Sequence, residues 1–296
     1  MLEFRDIDIS DKMRINSALQ KSDFMGCEYS FANNMAWKRL SDSKISFYKE
    51  FYIVCTFSKD DSTPCFLFPA GDGSYKELFA ELKRYTASLG KPLCFSGVTE
   101  KSLSLLNELF PDSFTFELDR DGSDYIYNSS DLIQLSGKKY HSKRNHLARF
   151  NKLDYSFSLI TEKDFDDCIL FCTNTYNSKY SDGDHSFIAE QYAINTYFTY
   201  FNELELNGGI IRISGETAAV TIGEKLNSET YCVHIEKADT SYNGIYAGIN
   251  NCFAKAVAAD YKFINREEDM GLEGLRKSKL SYHPAFILNK YIVTFK

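Results

Sequence analysis

YKFINREEDMGLEGLRKSKLSYHPAFILNKYIVTFK, residues 261–296, closes the chain, and the rest is read outward from it. A short apolar run (Phe263, Ile264) leads into the charged cluster Arg266, Glu267, Glu268, Asp269. A helix-like segment over 271–281 follows, carrying Arg276, Lys277 and Lys279, and a last apolar run spans Tyr291 to Phe295. Proline cannot continue a helix and restrains the residue before it, so Pro284 marks the end of that helix. The pattern predicts strand, polar crossover, basic helix, strand. Charges of both signs crowd the loop after a buried strand, the position where open α/β sheets place their sites. A solvated helix with surface ion pairs is the plainer reading of the same charges.

The elements upstream of this stretch occur twice. TYCVHIEKA predicts a strand, ADTSYNG a turn, Ile245–Ala259 a helix, YKFINRE a strand, 271–281 a helix and KYIVTFK a strand. Earlier, PCFLFPA predicts a strand, Gly71-Asp72-Gly73 a turn and Ser74–Leu89 a helix with Leu78, Leu82, Tyr85 and Leu89 at helical spacing. PLCFSGV is then a strand, Glu100–Phe110 a helix, and SFTFELD a strand after Pro111. Each copy has a strand pair upstream, with turn signals at Asp60–Pro64 and at Asn227-Ser228. Residues 1–40 read as helical, with capping residues before MRINSALQKS. The repeat is one of architecture with little residue identity, and a duplicated α/β unit of mixed sheet accounts for it.

Length and composition agree. At 296 residues the chain exceeds one average domain, and the reading divides it into 1–130 and 131–296. No apolar run reaches the roughly 20 residues that span a bilayer, and the N-terminus lacks the basic and apolar regions of an export signal. The eight cysteines show no CxxC spacing and sit mostly inside apolar runs, so buried reduced thiols in a cytoplasmic protein are expected and no metal site is. Cys168 and Cys172 would share a helix face without a histidine to complete a zinc set. Phe165, Cys168, Ile169, Cys172 and Tyr176 recur at helical spacing as core, and Ser181–His185 reads as a loop. A net charge of −7 argues against a general nucleic-acid coat.

That charge is unevenly spread. Between the copies, Lys138, Lys139, Lys143, Arg144, Arg149 and Lys152 stand with two histidines and no acid from 138 to 152. On a helix, Lys139, Lys143 and His146 share one face, and Tyr140 and Leu147 form the packing side. Such a face suits an anion, a phosphorylated ligand or an RNA end; a solvated connecting helix is the plainer alternative. No GxSxG, HExxH, Walker-type or GxGxxG pattern is present. His234 in its strand reads first as a satisfied structural histidine. Glu236, Glu267, Glu268 and Asp269 are either bases near strand ends or partners of Arg266, Arg276 or Lys279.

The phrase GLRKSKLSYHP (274–284) followed by KYIV (290–293), with KKYHSKRNHL (138–147) and REEDMG (266–271) upstream, resembles a bacterial family of unknown function. That family is related to the C-terminal domain of phosphatidylglycerol lysyltransferases, and the relationship reaches the peptidoglycan cross-bridge ligases. Both groups are built from two folds of the N-acetyltransferase (GNAT) superfamily. The resemblance therefore implies an α/β (α+β mixed-sheet) protein of two tandem GNAT-like acyltransferase domains. It covers most of the chain and is specific mainly at the basic segment and at Leu275, Arg276, Lys279, Pro284 and Tyr291. It implies a transfer site in the second copy and an aminoacyl-tRNA donor, with tRNA as partner and a small molecule or lipid headgroup as acceptor.

An aminoacyl ester is already activated, so such a protein mainly positions donor and acceptor, moves a proton and stabilises an oxyanion. On that reading Lys138, Lys139, Lys143, Arg144 and Asn145 hold donor phosphates. Glu267 and Asp269 supply the base, Arg276 and Lys279 neutralise charge at the ester, and Tyr282 donates a proton or is a structural aromatic. Acyl-CoA is the alternative donor, for N-acylation of a small amine. Its pyrophosphate loop, Gln/Arg-x-x-Gly-x-Gly/Ala at a helix start, is met only in part by Ser241-Tyr242-Asn243-Gly244-Ile245-Tyr246. A non-catalytic RNA- or ligand-binding protein is a third reading. No cofactor follows from the sequence, and the oligomeric state is not legible in it.

Overall fold

The computed structural model describes residues 2–40, 42–57, 63–177 and 185–296. The chain forms two compact units, one of Met1–Asp124, Glu268–Gly271 and Leu288–Lys296, the other of Tyr125–Glu267 and Leu272–Ile287. A single cut at 130/131 treats each copy as contiguous in sequence, whereas these units are not.

The first unit begins with helices α1 (Lys12–Ser22) and α2 (Phe31–Trp37), then strands β1 (Lys44–Tyr48), β2 (Phe51–Phe57) and β3 (Pro64–Leu67). Helix α3 (Tyr75–Ser88), strand β4 (Cys94–Thr99), helix α4 (Glu100–Leu109) and strand β5 (Phe114–Asn128) follow, β5 running on into the second unit at Tyr125. β1, β2 and β3 are antiparallel neighbours, and β3 lies parallel to β4 through the α3 crossover. The α3 start is written in its sequence: the Ser74 hydroxyl accepts from the Glu77 amide, and Leu78, Phe79 and Leu82 turn one buried face to the sheet.

The second unit repeats this order. Helix α5 (Ser129–Gln134), helix α6 (His141–Phe150) and strand β6 (Tyr155–Leu159) lead to α7 (Phe165–Asn177) and α8 (His185–Thr199). Strands β7 (Asn207–Ile213), β8 (Glu216–Lys225) and β9 (Thr230–Ala238) then precede helix α9 (Ile245–Val257) and β10 (Phe263–Asn265). The chain ends in helix α10 (Glu273–Leu280) and β11 (Phe286–Phe295). β6 to β9 are successive antiparallel neighbours, and β9 lies parallel to β10 through α9. Both copies thus share three antiparallel strands (β1–β3 and β7–β9), helix, parallel strand, helix, strand, and the second adds β6 as a fourth antiparallel strand.

The last strand of each copy pairs outside its own copy. β10 pairs antiparallel with the far end of β5 (Asn265 against Ile126), whereas β4 pairs antiparallel with β11 (Val98 against Tyr291). In the first unit, β11 brings Val293 and Phe295 into the core with Phe66, Phe79 and Phe95. It also brings Lys290, a buried ammonium 2.6 Å from Asp124 and 2.7 Å from Glu28. Burial opposes that charge, but Asp124 leads the neighbours that outweigh it, so the Lys290 pKa stands well above the ordinary lysine value.

Several expectations need correction. The strand expected over SFTFELD continues to Asn128, and that expected over YKFINRE is only Phe263–Asn265. β6, α8 and β7 carried no periodic signal that singled them out. β7 opens on Asn-Gly-Gly, a weak strand composition, because Ile160 closes on Gly208 and Phe157 and Phe253 on Gly209, leaving no room for a β-carbon. The turn at Asp60–Pro64 and the loop at Ser181–His185 fall, except for Thr63, Pro64 and His185, outside the described residues, as does the Tyr176 side chain.

Two glycines of equal backbone conformation separate strain from crowding. Gly244 and Gly215 both have φ +86°, but a β-carbon at 244 would lie 2.1 Å from the His146 carbonyl oxygen, whereas 215 faces open space. Gly215→Ala is expected to cost about 1–2 kcal/mol and Gly244→Ala about 3–4 kcal/mol. Urea denaturation of both variants measures the difference.

Candidate functional site

α6 is amphipathic in the way its sequence demands. Phe150 is fully buried among Ile211, Ala219, Ile245 and Ile249, and Leu147 packs beside it. Tyr140, in the 3-10 turn that leads into the helix, is also fully buried. The opposite face presents Lys139, Ser142, Lys143 and His146 to a groove of about 540 Å³. The other wall is α10 and the turn after it, with Gly274, Lys277, Ser278, Ser281 and His283. The His283 ring nitrogen Nε2 meets the Lys139 carbonyl at 2.9 Å and so ties the two walls together. Three lysines, two histidines and three hydroxyls therefore face one space, and none of its lining residues carries a carboxylate.

The groove floor is a buried charged layer. The Lys143 ammonium lies 3.7 Å from the centre of the Tyr282 ring, and the Arg266 guanidinium 4.9 Å from the same ring. Arg266 Nη2 donates to Glu236 at 2.8 Å, and Asn250 donates to the other oxygen of that carboxylate at 3.2 Å. Burial, then repulsion from Arg266, pushes the Lys143 pKa down to about 8, with Glu236 working the other way. Burial also pushes Tyr282 up to about 12, against the pull of Arg266.

The sequence-derived site residues separate. Lys139 and Lys143 share the groove, with Tyr282 beneath Lys143. Lys138 and Asn145 are exposed, and the Asn145 amide meets the His141 ring at 3.3 Å. Arg144 turns back on its own chain, Nη1 donating to the Leu135 and Gly137 carbonyls at 2.6 Å each. Lys279 points inward, its ammonium donating to the Arg266 carbonyl at 2.6 Å, while Tyr127 donates to the Lys279 carbonyl at 2.8 Å. Arg276 is half-buried in α10 and is not among the groove residues.

Glu267 faces His234 Nδ1 at 2.8 Å, within the second unit. Asp269 belongs to the first unit, where it is fully buried, accepts the Gly271 amide at 2.9 Å and meets Arg120 at 3.4 Å. Lys277 and His283 complete the groove, and neither stands among the sequence-derived site residues. Lys277 follows Arg276 directly, about 100° further round the helix, a difference that charge density alone does not report. The Arg266–Glu236 pair realises the ion-pair reading of those carboxylates.

The helix start corresponding to an acyl-CoA pyrophosphate loop is occupied by the protein itself. α6 crosses it so closely that Gly244 abuts the His146 backbone and Gly248 the Phe150 ring. The Ser241, Tyr242 and Ile245 amides bond to the Asp239 side chain, the Asp239 carbonyl and the Tyr242 carbonyl within the turn.

The elements define an α/β protein of tandem GNAT-like construction. Residues 20–294 match the family described as phosphatidylglycerol lysyltransferase, C-terminal, and the chain belongs to that family. A conserved protein of unknown function from Bacteroides thetaiotaomicron VPI-5482 is 36% identical, with a TM-score of 0.94 over 100% of each chain. L-PGS from Bacillus licheniformis is 15% identical with a TM-score of 0.70, over 97% of this chain and 92% of that one. FemX is 9% identical with a TM-score of 0.64, over 99% and 97%. At those two identities the likeness is one of fold. An uncharacterised protein of Mycoplasmoides gallisepticum is 24% identical over 174 residues, and the chain covers 56% of that relative's length. No helix among the described residues is long and apolar enough to cross a membrane.

Arg266→Ala leaves the Glu236 carboxylate in a site where only 11% of its side chain is exposed, and should cost about 3–5 kcal/mol. The double variant Arg266→Met with Glu236→Leu removes both charges and should recover most of that stability in the same denaturant titration.

Proposed function

We propose that the protein is an aminoacyltransferase that accepts an aminoacyl group from aminoacyl-tRNA and passes it to an amine or hydroxyl acceptor. The observation that carries this reading is the basic groove, with Lys143 half-buried at its floor above Tyr282 and Lys139 at its edge 3.4 Å from the Asp131 carboxylate. Family membership supports it, because the family's own description names a lysyltransferase, an enzyme that moves an aminoacyl group. Lys139 and Lys277, with the groove hydroxyls, hold the phosphates of the donor's end.

In the transfer, the acceptor nitrogen or oxygen bonds to the ester carbonyl carbon, the carbonyl oxygen carries negative charge in the intermediate, and the ribose oxygen leaves. The acceptor loses one proton and the ribose oxygen gains one. Lys143, with its pKa near 8, is neutral in part at the working pH and serves as the proton carrier. In this proposal Lys143 has the role that the sequence reading gave to Glu267 and Asp269. Lys279 and Arg276 act from α10 by supporting the groove wall, and Lys138, Arg144 and Asn145 by supporting the start of α6. The occupied start of α9 favours aminoacyl-tRNA over acyl-CoA as donor.

Purified protein, tRNA charged with labelled amino acids, and phosphatidylglycerol vesicles or small amines as acceptors test the proposal. Label should move to an acceptor. Salt-sensitive tRNA binding without transfer to any acceptor would instead make the chain a binding protein, and tight CoA binding would favour the acyl-CoA reading. Joint Lys139→Glu and Lys277→Glu substitution should weaken tRNA binding and lower the salt slope by about one for each phosphate that is no longer neutralised.

The kcat/KM should rise with pH through about 8 and level off above it, since the neutral amine is the active form. Lys143→Arg keeps the positive charge but cannot lose its proton. It should retain tRNA binding, lose the inflection near pH 8, and slow turnover about 10²–10⁴-fold.

A further inference from the structure

On the opposite face of β9 from Val233, and apart from the groove, a second cluster of reactive side chains lies under α8. His234 is buried, with its ring stacked on Tyr197 at 5.5 Å between centres and 15° between planes. Its Nε2 meets Glu224 Oε1 at 2.9 Å, and its Nδ1 meets Glu267 Oε1 at 2.8 Å. A neutral imidazole carries one N–H, so it can satisfy one of these carboxylates and offers the other a lone pair. The second contact needs a second ring proton, a proton on the carboxyl group or a cation.

The corner at Nδ1 holds a third donor. Cys232, two residues before His234 and so on the same face of the strand, places its buried thiol sulfur 3.8 Å from Nδ1. The Cys232 sulfur, His234 Nδ1 and a Glu267 carboxylate oxygen all lie within 4.8 Å of one another. Sulfur, imidazole nitrogen and carboxylate oxygen form a ligand set suited to zinc. Glu224 completes the arrangement from the outer side, since a carboxylate on the far ring nitrogen of a ligating histidine fixes its tautomer and raises its basicity. The other comparable group, Cys27, Asp124 and Glu268, has its cation already: the Lys290 ammonium lies 2.6 Å from Asp124 and 3.7 Å from the Cys27 sulfur.

We infer that Cys232, His234 and Glu267 form a binding site for a divalent transition-metal ion of zinc character, with Glu224 orienting the histidine. The ion replaces the thiol proton and the second ring proton, so binding one ion releases two protons when the imidazole starts doubly protonated. The site is separate from the groove, and it holds β9 to the residue that follows Arg266. It does not depend on the transferase reading.

Cobalt(II) is the probe, added to the full chain after chelator treatment under reducing conditions. One equivalent should bind, with a thiolate-to-cobalt charge-transfer band and the intense visible bands of four-coordinate cobalt, and zinc should bleach both. Cys232→Ser should abolish the charge-transfer band, and Cys27→Ser should keep it. Glu224→Gln should weaken cobalt binding about 10–100-fold while leaving the band unchanged at saturation. Wild-type protein that takes up no cobalt, or a band that survives Cys232→Ser, overturns the site. In that case a proton makes the second contact, and nitrogen NMR of the wild-type ring would display two protonated nitrogens if the ring carries it and one if a carboxyl group does.

Discussion

The exchange of last strands between the two copies is the constraint on which the rest of this structure depends. β5 begins in the first unit and pairs with β10 in the second, and β11 begins in the second and pairs with β4 in the first. Each unit therefore lacks a complete sheet until the other copy's strand is supplied. In the first unit the exchanged strand is held by a charge as well as by its apolar side chains. Lys290 from β11 meets Asp124 from β5 at 2.6 Å, and the Lys290 amide donates to Ser123 at 3.1 Å. A buried ammonium away from that carboxylate would be strongly destabilising, so the pair specifies register as well as adhesion.

The second unit shows how one connecting helix redefines a fold's usual binding surface. α6 lies across the start of α9, and the contact exists because positions 244 and 248 are glycine. The Ser241, Tyr242 and Ile245 amides at this helix start are bonded within their own turn. On the proposed reading, anion binding in this unit falls to side chains on the outer face of the same helix and not to backbone amides. Ammonium and hydroxyl groups on flexible stems suit a large, variably posed phosphate ligand better than the fixed geometry of a pyrophosphate loop.

Beneath that groove, charge is layered. Glu236 neutralises Arg266, and Arg266 and Lys143 both lie against the Tyr282 ring. Burial lowers the Lys143 pKa most, and because the guanidinium cannot lose its proton, its repulsion adds to that effect. A lysine with a lowered pKa thus arises from burial together with a neighbour that is itself paired with a carboxylate. The aromatic ring, whose face favours the ammonium, keeps the side chain in place without restoring a full ion pair.

The amino-acid sequence by itself determined the local elements and their duplication. The Ser74 cap, the helical spacing of α3, the apolar run of β9 and the stop at Pro284 are read from a few adjacent residues, because backbone preference and side-chain period act over that range. The inward Tyr140 and Leu147 and the outward Lys139, Lys143 and His146 followed from the same period. Tertiary structure alone decided which copy each last strand joins, that Arg144 and Lys279 bond carbonyls instead of facing a ligand, and that Glu267 meets His234 while Asp269 lies in the other unit. Those outcomes depend on which groups distant in sequence become neighbours, and a charge is free or neutralised only by what folding brings within a few ångströms of it.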